Sequence, residues 1–227
     1  MNKPKRCLIN FAKGKWYPAG QERLKQSFLK NGFNGDFLFY QNEKDVGCHL
    51  HSEIPYTFKA YMFKEAMDKG YEQIIWADCS IELIKDIHKI YNQLDTEGYF
   101  LLLNGWTTGE WCADSALEPL GITREEALTI PHLMTGLMAF DVRHENSVRF
   151  IEEFFEKAKS GVSFYGDWKN DKHQVSMDDR VLGHRHDQTV ASIIAWRLGM
   201  RNWLKNVVLY GKVHNGSEHI CLAYPAL

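Results

Sequence analysis

Residues 74–83 read IIWADCSIEL, an apolar run that meets an aspartate, a cysteine and a serine before the chain turns polar again. A short run rich in β-branched and aromatic residues, closed by polar ones, predicts a buried strand. In extended chain, positions two apart project the same way, so Asp78 and Ser80 point together beyond the strand end. The segments on either side decide what kind of sheet this strand enters. Upstream, CLINFA predicts a strand and QERLKQSFLKNG a helix with Leu24 and Phe28 on one face and Gly32 as its stop. DFLFY (36–40) follows as a strand, then TFKAYMFKEAMDKG as a helix with Phe58, Met62 and Ala66 in one stripe and Gly70 at its end. Downstream, ELIKDIHKIYNQL predicts a helix with Ile87, Tyr91 and Leu94 aligned, and GYFLLLN a strand. A loop rich in Trp and Gly comes next (NGWTTGEWCADSA), then a short helix opened by the capping-box pattern Thr123-x-x-Glu126, then the strand LMTGLMAF. ENSVRFIEEFFEKAKSG spaces Val148, Ile151, Phe154, Phe155 and Ala158 for one buried helix face. HDQTVASIIAWRLG is the last helix and VVLYG the last strand, ahead of the tail KVHNGSEHICLAYPAL. Strands alternating with helices predict an α/β fold, a mixed but mainly parallel sheet with helices on both faces. No linker or internal repeat interrupts it, so 1–227 reads as a single domain.

Composition narrows the function. A formal net charge of −2 provides no basic surface to hold nucleic acid. The basic start MNKPKRCLINFAKGKW carries an apolar run too short for a signal peptide or a transmembrane segment, which predicts a soluble, cytoplasmic chain. The odd, scattered cysteines Cys7, Cys48, Cys79, Cys112 and Cys221 form no CxxC pair, so neither a disulfide framework nor a zinc knuckle is expected. Neither GxxxxGK[ST] nor GxGxxG occurs, which disfavours ATP hydrolysis and NAD chemistry.

Ligands of open α/β sheets sit beyond the carboxyl ends of the strands. Asp78 and Ser80 stand there, His214 follows the last strand, and His186, Asp187 and Gln188 open a helix. Carboxylate, hydroxyl and imidazole together can hold a divalent cation with positions left for substrate. Blander roles stay open: Asp78 and Asp187 as helix caps and Lys59 as a solvated helix lysine. The run His184-Arg185-His186-Asp187 also permits a metal-dependent hydrolase, although no second histidine-aspartate cluster accompanies it.

The order of IIWADCSIEL, HLMTGLMAFDVRH, HRHDQTVASII and VHNGS resembles the GT-A nucleotide-sugar glycosyltransferases, nearest the glycogenin and bacterial galactosyltransferase type. The resemblance spans most of the chain, from CLINFA to VHNGS, and rests on the order of the phrases. It implies a Rossmann-like GT-A domain that moves a sugar from a nucleotide-diphosphate donor, a UDP-sugar first, to a glycan or other hydroxyl acceptor with Mn²⁺ or Mg²⁺. On this basis Asp78 matches the first aspartate of the Asp-x-Asp motif, with Ser80 at the usual second aspartate and His214 as the late histidine ligand. A serine there is a weaker ligand than a carboxylate, which also admits an inactive sugar-binding domain. Asn10, Phe11 and Ala12 fall where the base and ribose bind. Lys59, Cys79, Gly136, Gly216 and Ser217 fall along the rest of the nucleotide sugar. Asp187 and Gln188 are the candidate catalytic pair, Asp187 as general base of an inverting reaction or Gln188 under the sugar of a retaining one. Trp106, Glu110, Trp111 and Trp168 are the candidate acceptor contacts, with Tyr165, Asp114, Asp178 and Asp179 in the same kind of loop.

Overall fold

A computed structural model of the chain describes residues 3–210 and 219–224. The first strand, β1 (Arg6–Phe11), leads to helix α1 (Tyr17–Lys30), which starts four residues earlier than QERLKQ suggests. Pro18 lies in its first turn, where a missing N–H costs no hydrogen bond. Strand β2 (Asp36–Tyr40) is followed by the short α2 (Glu43–Val46), then α3 (Phe58–Asp68) and β3 (Gln73–Ala77). Next come β4 (Ile81–Leu83), α4 (His88–Glu97), the long β5 (Tyr99–Thr107), α5 (Asp114–Leu120) and α6 (Arg124–Thr129). The Thr123/Glu126 capping box forms as the sequence indicates. Strand β6 (Pro131–Asp141), α7 (Glu145–Ser160), α8 (His186–Arg197), β7 (Val208–Tyr210) and β8 (Cys221–Ala223) complete the order.

The five-stranded sheet runs β2-β1-β3-β6-β5. Strands β1, β2 and β3 are parallel, β6 runs against β3, and β5 runs against β6, so β6 is the one reversed strand. Side-chain alternation splits the core cleanly. Ile9, Ile74, Trp76, Met138 and Phe140 face α3, α7 and α8, whereas Leu8, Ile75, Leu137, Ala139 and Phe100 face α1 and α4. On α7 the inward stripe includes Phe150, while Val148 and Phe155 are only half buried.

One expectation fails at the second face. Residues 81–83 do not start the predicted helix; they form β4, antiparallel to Cys221–Ala223 of β8, with β7 beyond it in a separate three-stranded sheet. Ile81 and Leu83 are buried and Glu82 lies between them half exposed, which is a two-residue period that only the C-terminal partner satisfies. The helix waits until His88, whose N–H donates to the Asp86 carboxylate at 2.7 Å. All five cysteines are free, and four of them are buried.

Candidate functional site

Asp78 follows β3 directly, and its N–H donates to Gly136 O of the reversed strand at 2.7 Å. A Cβ on Gly136 would stand 3.3 Å from Asp78 Oδ2, so glycine keeps that oxygen's surroundings open. The other oxygen, Oδ1, accepts from Trp76 Nε1 at 2.8 Å and lies 3.2 Å from Lys59 Nζ. Lys59 projects from α3 into the core, 3% exposed, and its Nζ is 2.8 Å from Asp187 Oδ2. Thr135 on β6 completes the cluster: its Oγ1 donates to Asp187 Oδ2 at 2.6 Å, and its carbonyl accepts from Lys59 at 3.2 Å.

Three charges thus meet, Lys59 and Asp187 buried and Asp78 37% exposed. Burial pulls the Lys59 ammonium down, but Asp187 and then Asp78 outweigh it, so Lys59 is held firmly as a cation. Burial pushes the Asp78 carboxyl up; Lys59 opposes this, Asp187 adds to it, and the net shift is upward. Lys59 and Asp187 therefore spend their charge on each other. Neither residue is among those lining the cavity beside Asp78. Asp187 does not cap α8 through its side chain, since the residue in the cap position is Arg185.

That cavity, about 500 Å³, opens at the carboxyl ends of β1 and β3 and is lined by Phe11, Asp78, Cys79 and Ser80 among the expected residues. Asn10 lies fully buried beneath it. Its Nδ2 donates to Ala77 O at 2.6 Å and its Oδ1 accepts from Gln21 at 2.8 Å, which ties the ends of β1 and β3 to α1. Ala12 is buried too, its N–H donating to Tyr40 O at 2.9 Å. Lining residues that were not anticipated include Lys13, Glu43, His51 and Tyr56. Glu43 is 2% exposed, with both oxygens held by Lys13 Nζ at 3.0 and 2.8 Å. Burial raises its carboxyl, yet Lys13 and two backbone amides bring it below the ordinary value. Both residues lie just after strand ends, the rule that picked out Asp78, and that position was the available signal. Tyr56 (φ 61°) and His186 (φ 43°) hold left-handed backbone with their rings 5.5 Å apart, an arrangement that costs energy and clusters at functional sites.

A second cavity of about 400 Å³ is lined by Asn104, Trp106, Trp111, Arg185, Gln188 and Asn206 together with apolar residues of β5, β6 and the chain around β7. Trp106 meets Trp111 edge to face at 5.7 Å. The Arg185 guanidinium lies 4.0 Å over Trp111 and 3.9 Å over Trp168. Glu110 turns away to staple its own loop, accepting from Thr107 N and Oγ1 at 2.7 and 2.8 Å. Trp168 packs against His186 and Tyr56. Tyr165 is 64% exposed, Asp114 pairs with Arg124, and Asp178 pairs with Arg180.

The His-x-His run faces the core. His184 joins Ser163 O through Nε2 and accepts from Ala113 N–H through Nδ1, and His186 Nδ1 lies 2.9 Å from Phe164 O. Among the described residues no group of three or more His, Cys, Asp or Glu is arranged to hold a metal. Toward a divalent ion the first cavity offers hard oxygen, from Asp78 and Ser80, and His214, Gly216 and Ser217 lie outside the described residues. One carboxylate and one hydroxyl fit an ion held mainly by diphosphate and water.

No protein-family model matches the chain, and no curated protein matches it by sequence. Among solved structures it is similar to a glycosyltransferase involved in the glycosylation of the major capsid of PBCV-1, at 12% identity, 97% of this chain and 93% of that one, TM-score 0.54. It is also similar to mouse xyloside xylosyltransferase 1 in its apo form, at 10% identity, 96% of this chain and 97% of that one, TM-score 0.51. The chain shares the fold of these two proteins, a mixed α/β domain with a mostly parallel central sheet. No helix among the described residues is long and apolar enough to cross a membrane.

Proposed function

We propose that the chain is a GT-A glycosyltransferase of the glycogenin and galactosyltransferase type, taking a nucleotide-sugar donor, a UDP-sugar first, in the cavity beside Asp78. The observation that carries this reading is Asp78 itself: a carboxylate at the end of the central strand, held through one oxygen by Trp76 and Lys59, with the other oxygen beside a glycine. Phe11, Phe58 and Tyr56 give the cavity flat apolar walls suited to a base, and Lys13, fixed by Glu43, gives it a positive group. Mn²⁺ or Mg²⁺, bound by Asp78, Ser80 and His214, would neutralise charge developing on the leaving diphosphate. Asp78 orients the phosphate end, and the buried Lys59 keeps Asp78 from swinging away. The acceptor enters the second cavity, where Trp106 and Trp111 provide stacking faces and Gln188 is the polar group aimed at reacting atoms. Asp187, engaged by Lys59 and Thr135, positions Lys59, which supports Gln188 and a retaining outcome over Asp187 as general base.

Nucleotide release from UDP-glucose, UDP-galactose, UDP-xylose and their GDP counterparts, with Mn²⁺ and with EDTA, tests this reading. We expect release from one nucleotide series, dependent on Mn²⁺, and a loss of at least about 100-fold in Asp78→Ala with an unchanged circular dichroism spectrum. Near-normal turnover in Asp78→Ala would remove Asp78 from the donor site.

A further inference from the structure

The C-terminal strand ends beside Asp78, and we infer that Tyr224 contacts the donor at the diphosphate end of the first cavity, with Arg23 as its positioning residue. This rests on the glycosyltransferase reading and adds a wall to its donor site. Strand β8 pairs with β4, which starts directly after Ser80. The pairing continues one step past the strand, where Tyr224 N–H donates to Ser80 O at 2.9 Å. Tyr224 lines the cavity and is 40% exposed, whereas Cys221, Leu222 and Ala223 before it are buried.

The ring is fixed at both ends and on a face. Its backbone is tied to Ser80, and its hydroxyl donates to Glu82 Oε2 on β4. The Arg23 guanidinium, from α1, lies 4.1 Å from the ring centre. The same guanidinium donates to Cys79 O at 2.9 Å. Helix α1 meets Cys79 a second time at Gly20, where a Cβ would stand 2.7 Å from that carbonyl oxygen, so only glycine allows the approach. The turn from Asp78 to Ser80 is thus held between α1 and β8, by Arg23 at Cys79 and by Tyr224 at Ser80. An aromatic side chain already held in one orientation loses little entropy when a ligand packs on it.

Sheet order says which part of the donor Tyr224 meets. The strands run β2-β1-β3, so the ends of β2 and β3 stand two strand spacings apart, roughly 10 Å. Lys13 and Glu43 follow β1 and β2, while Tyr224 stands with Ser80 past the end of β3. A nucleotide with its base against Phe11, Phe58 and Tyr56 and its diphosphate at Asp78 therefore meets Tyr224 at the diphosphate and sugar. There the ring supplies an apolar face for the carbon side of a sugar, and Arg23 acts through Tyr224 and Cys79.

Titration calorimetry on the full chain with Mn²⁺ tests this, using the mono- and diphosphates of uridine, guanosine and adenosine, with the melting midpoint of each variant taken without ligand. In the series that the wild type binds, we expect Tyr224→Ala to weaken the diphosphate about tenfold and the monophosphate less than about threefold. Tyr224→Phe, which keeps the ring, should recover most of that loss. Arg23→Met, which frees the ring, should show the same diphosphate-selective loss at smaller size. Cys221→Ala, buried in the same strand and outside the cavity lining, should lower the midpoint and leave both affinities unchanged. A diphosphate affinity in Tyr224→Ala within about twofold of wild type, an equal loss for the monophosphate, or an equal loss in Cys221→Ala overturns the inference. A wild type that binds no nucleotide overturns the donor-site reading instead, so the two failures are told apart.

Discussion

Two of the clusters that place one cation between two carboxylates stand in opposite surroundings. Lys59 lies between Asp78 and Asp187 at 3.2 and 2.8 Å, and Arg180 lies between Glu125 and Asp178 at 2.6 and 2.7 Å. The distances are alike and the surroundings are not. Lys59 is 3% exposed, whereas half of the Arg180 side chain is open to water. Water and salt screen the surface cluster and reduce its worth to little. In the core the same arrangement costs desolvation for Lys59 and Asp187, so it is weak evidence for stability and stronger evidence for a site that needs a fixed charge. The buried cluster holds Asp78 against the end of the central strand, and the surface one joins the loop at 178–180 to α6.

The contrast can be broken by substitution. Lys59→Met leaves the buried Asp187 and the part-exposed Asp78 without their cation, and we expect a loss of about 3–5 kcal/mol, lowering the melting midpoint by roughly 10 °C. Adding Asp187→Asn to that variant should recover part of the loss, because the neutral amide no longer needs the ammonium; a double variant no better than the single one would deny the coupling. Thr135→Val removes the 2.6 Å hydrogen bond to Asp187, for an expected loss of about 1.5–3 kcal/mol in urea melts. Arg180→Gln, at the surface, should leave the midpoint unchanged within error. A large shift there would put the two clusters on equal terms.

Acid sharpens the comparison. Burial pushes His132 and His184 down to about 3, so in the folded chain both stay neutral where the unfolded chain, with histidines near 6.5, takes up protons. The unfolded state binds more protons, so stability is fully present above about pH 6.5 and is lost as pH falls toward 3. Each histidine contributes up to about 1.4 kcal/mol per pH unit. Asp78, raised in the fold, works in the opposite direction at acid pH. Denaturant melts from pH 7 to pH 4.5 should show a steady decline, and a flat profile would mean that both rings protonate within the fold.

Much of the large sheet was legible in the sequence because its strands alternate or run apolar within a few residues and its helices carry local stops. DFLFY coincides with β2, and the Thr123/Glu126 box forms as read. The small sheet was not legible: Ile81–Leu83 pairs with Cys221–Ala223 across more than half the chain, and no local pattern marks such a partner. Asp78 stood out by its place after a strand, and the structure brings Phe11, Cys79 and Ser80 to the same cavity. Lys59 was a phosphate contact only by the family resemblance, with a solvated helix lysine as the alternative; only three-dimensional packing reveals that it points into the core. Asn104 closed a strand as an ordinary polar residue, and its contact with Gln188, distant in sequence, is visible only in three dimensions.

The central claim is that the cavity beside Asp78 holds a nucleotide diphosphate. Thermal melts of the purified chain against UDP, GDP and ADP and their sugar conjugates, each with Mn²⁺ or EDTA, address it most directly. At about 100 times the dissociation constant a ligand adds about 2.7 kcal/mol, so one nucleotide series with Mn²⁺ should raise the midpoint by several degrees, and Asp78→Asn should abolish the rise. No shift with any nucleotide, with metal or without, would contradict the claim.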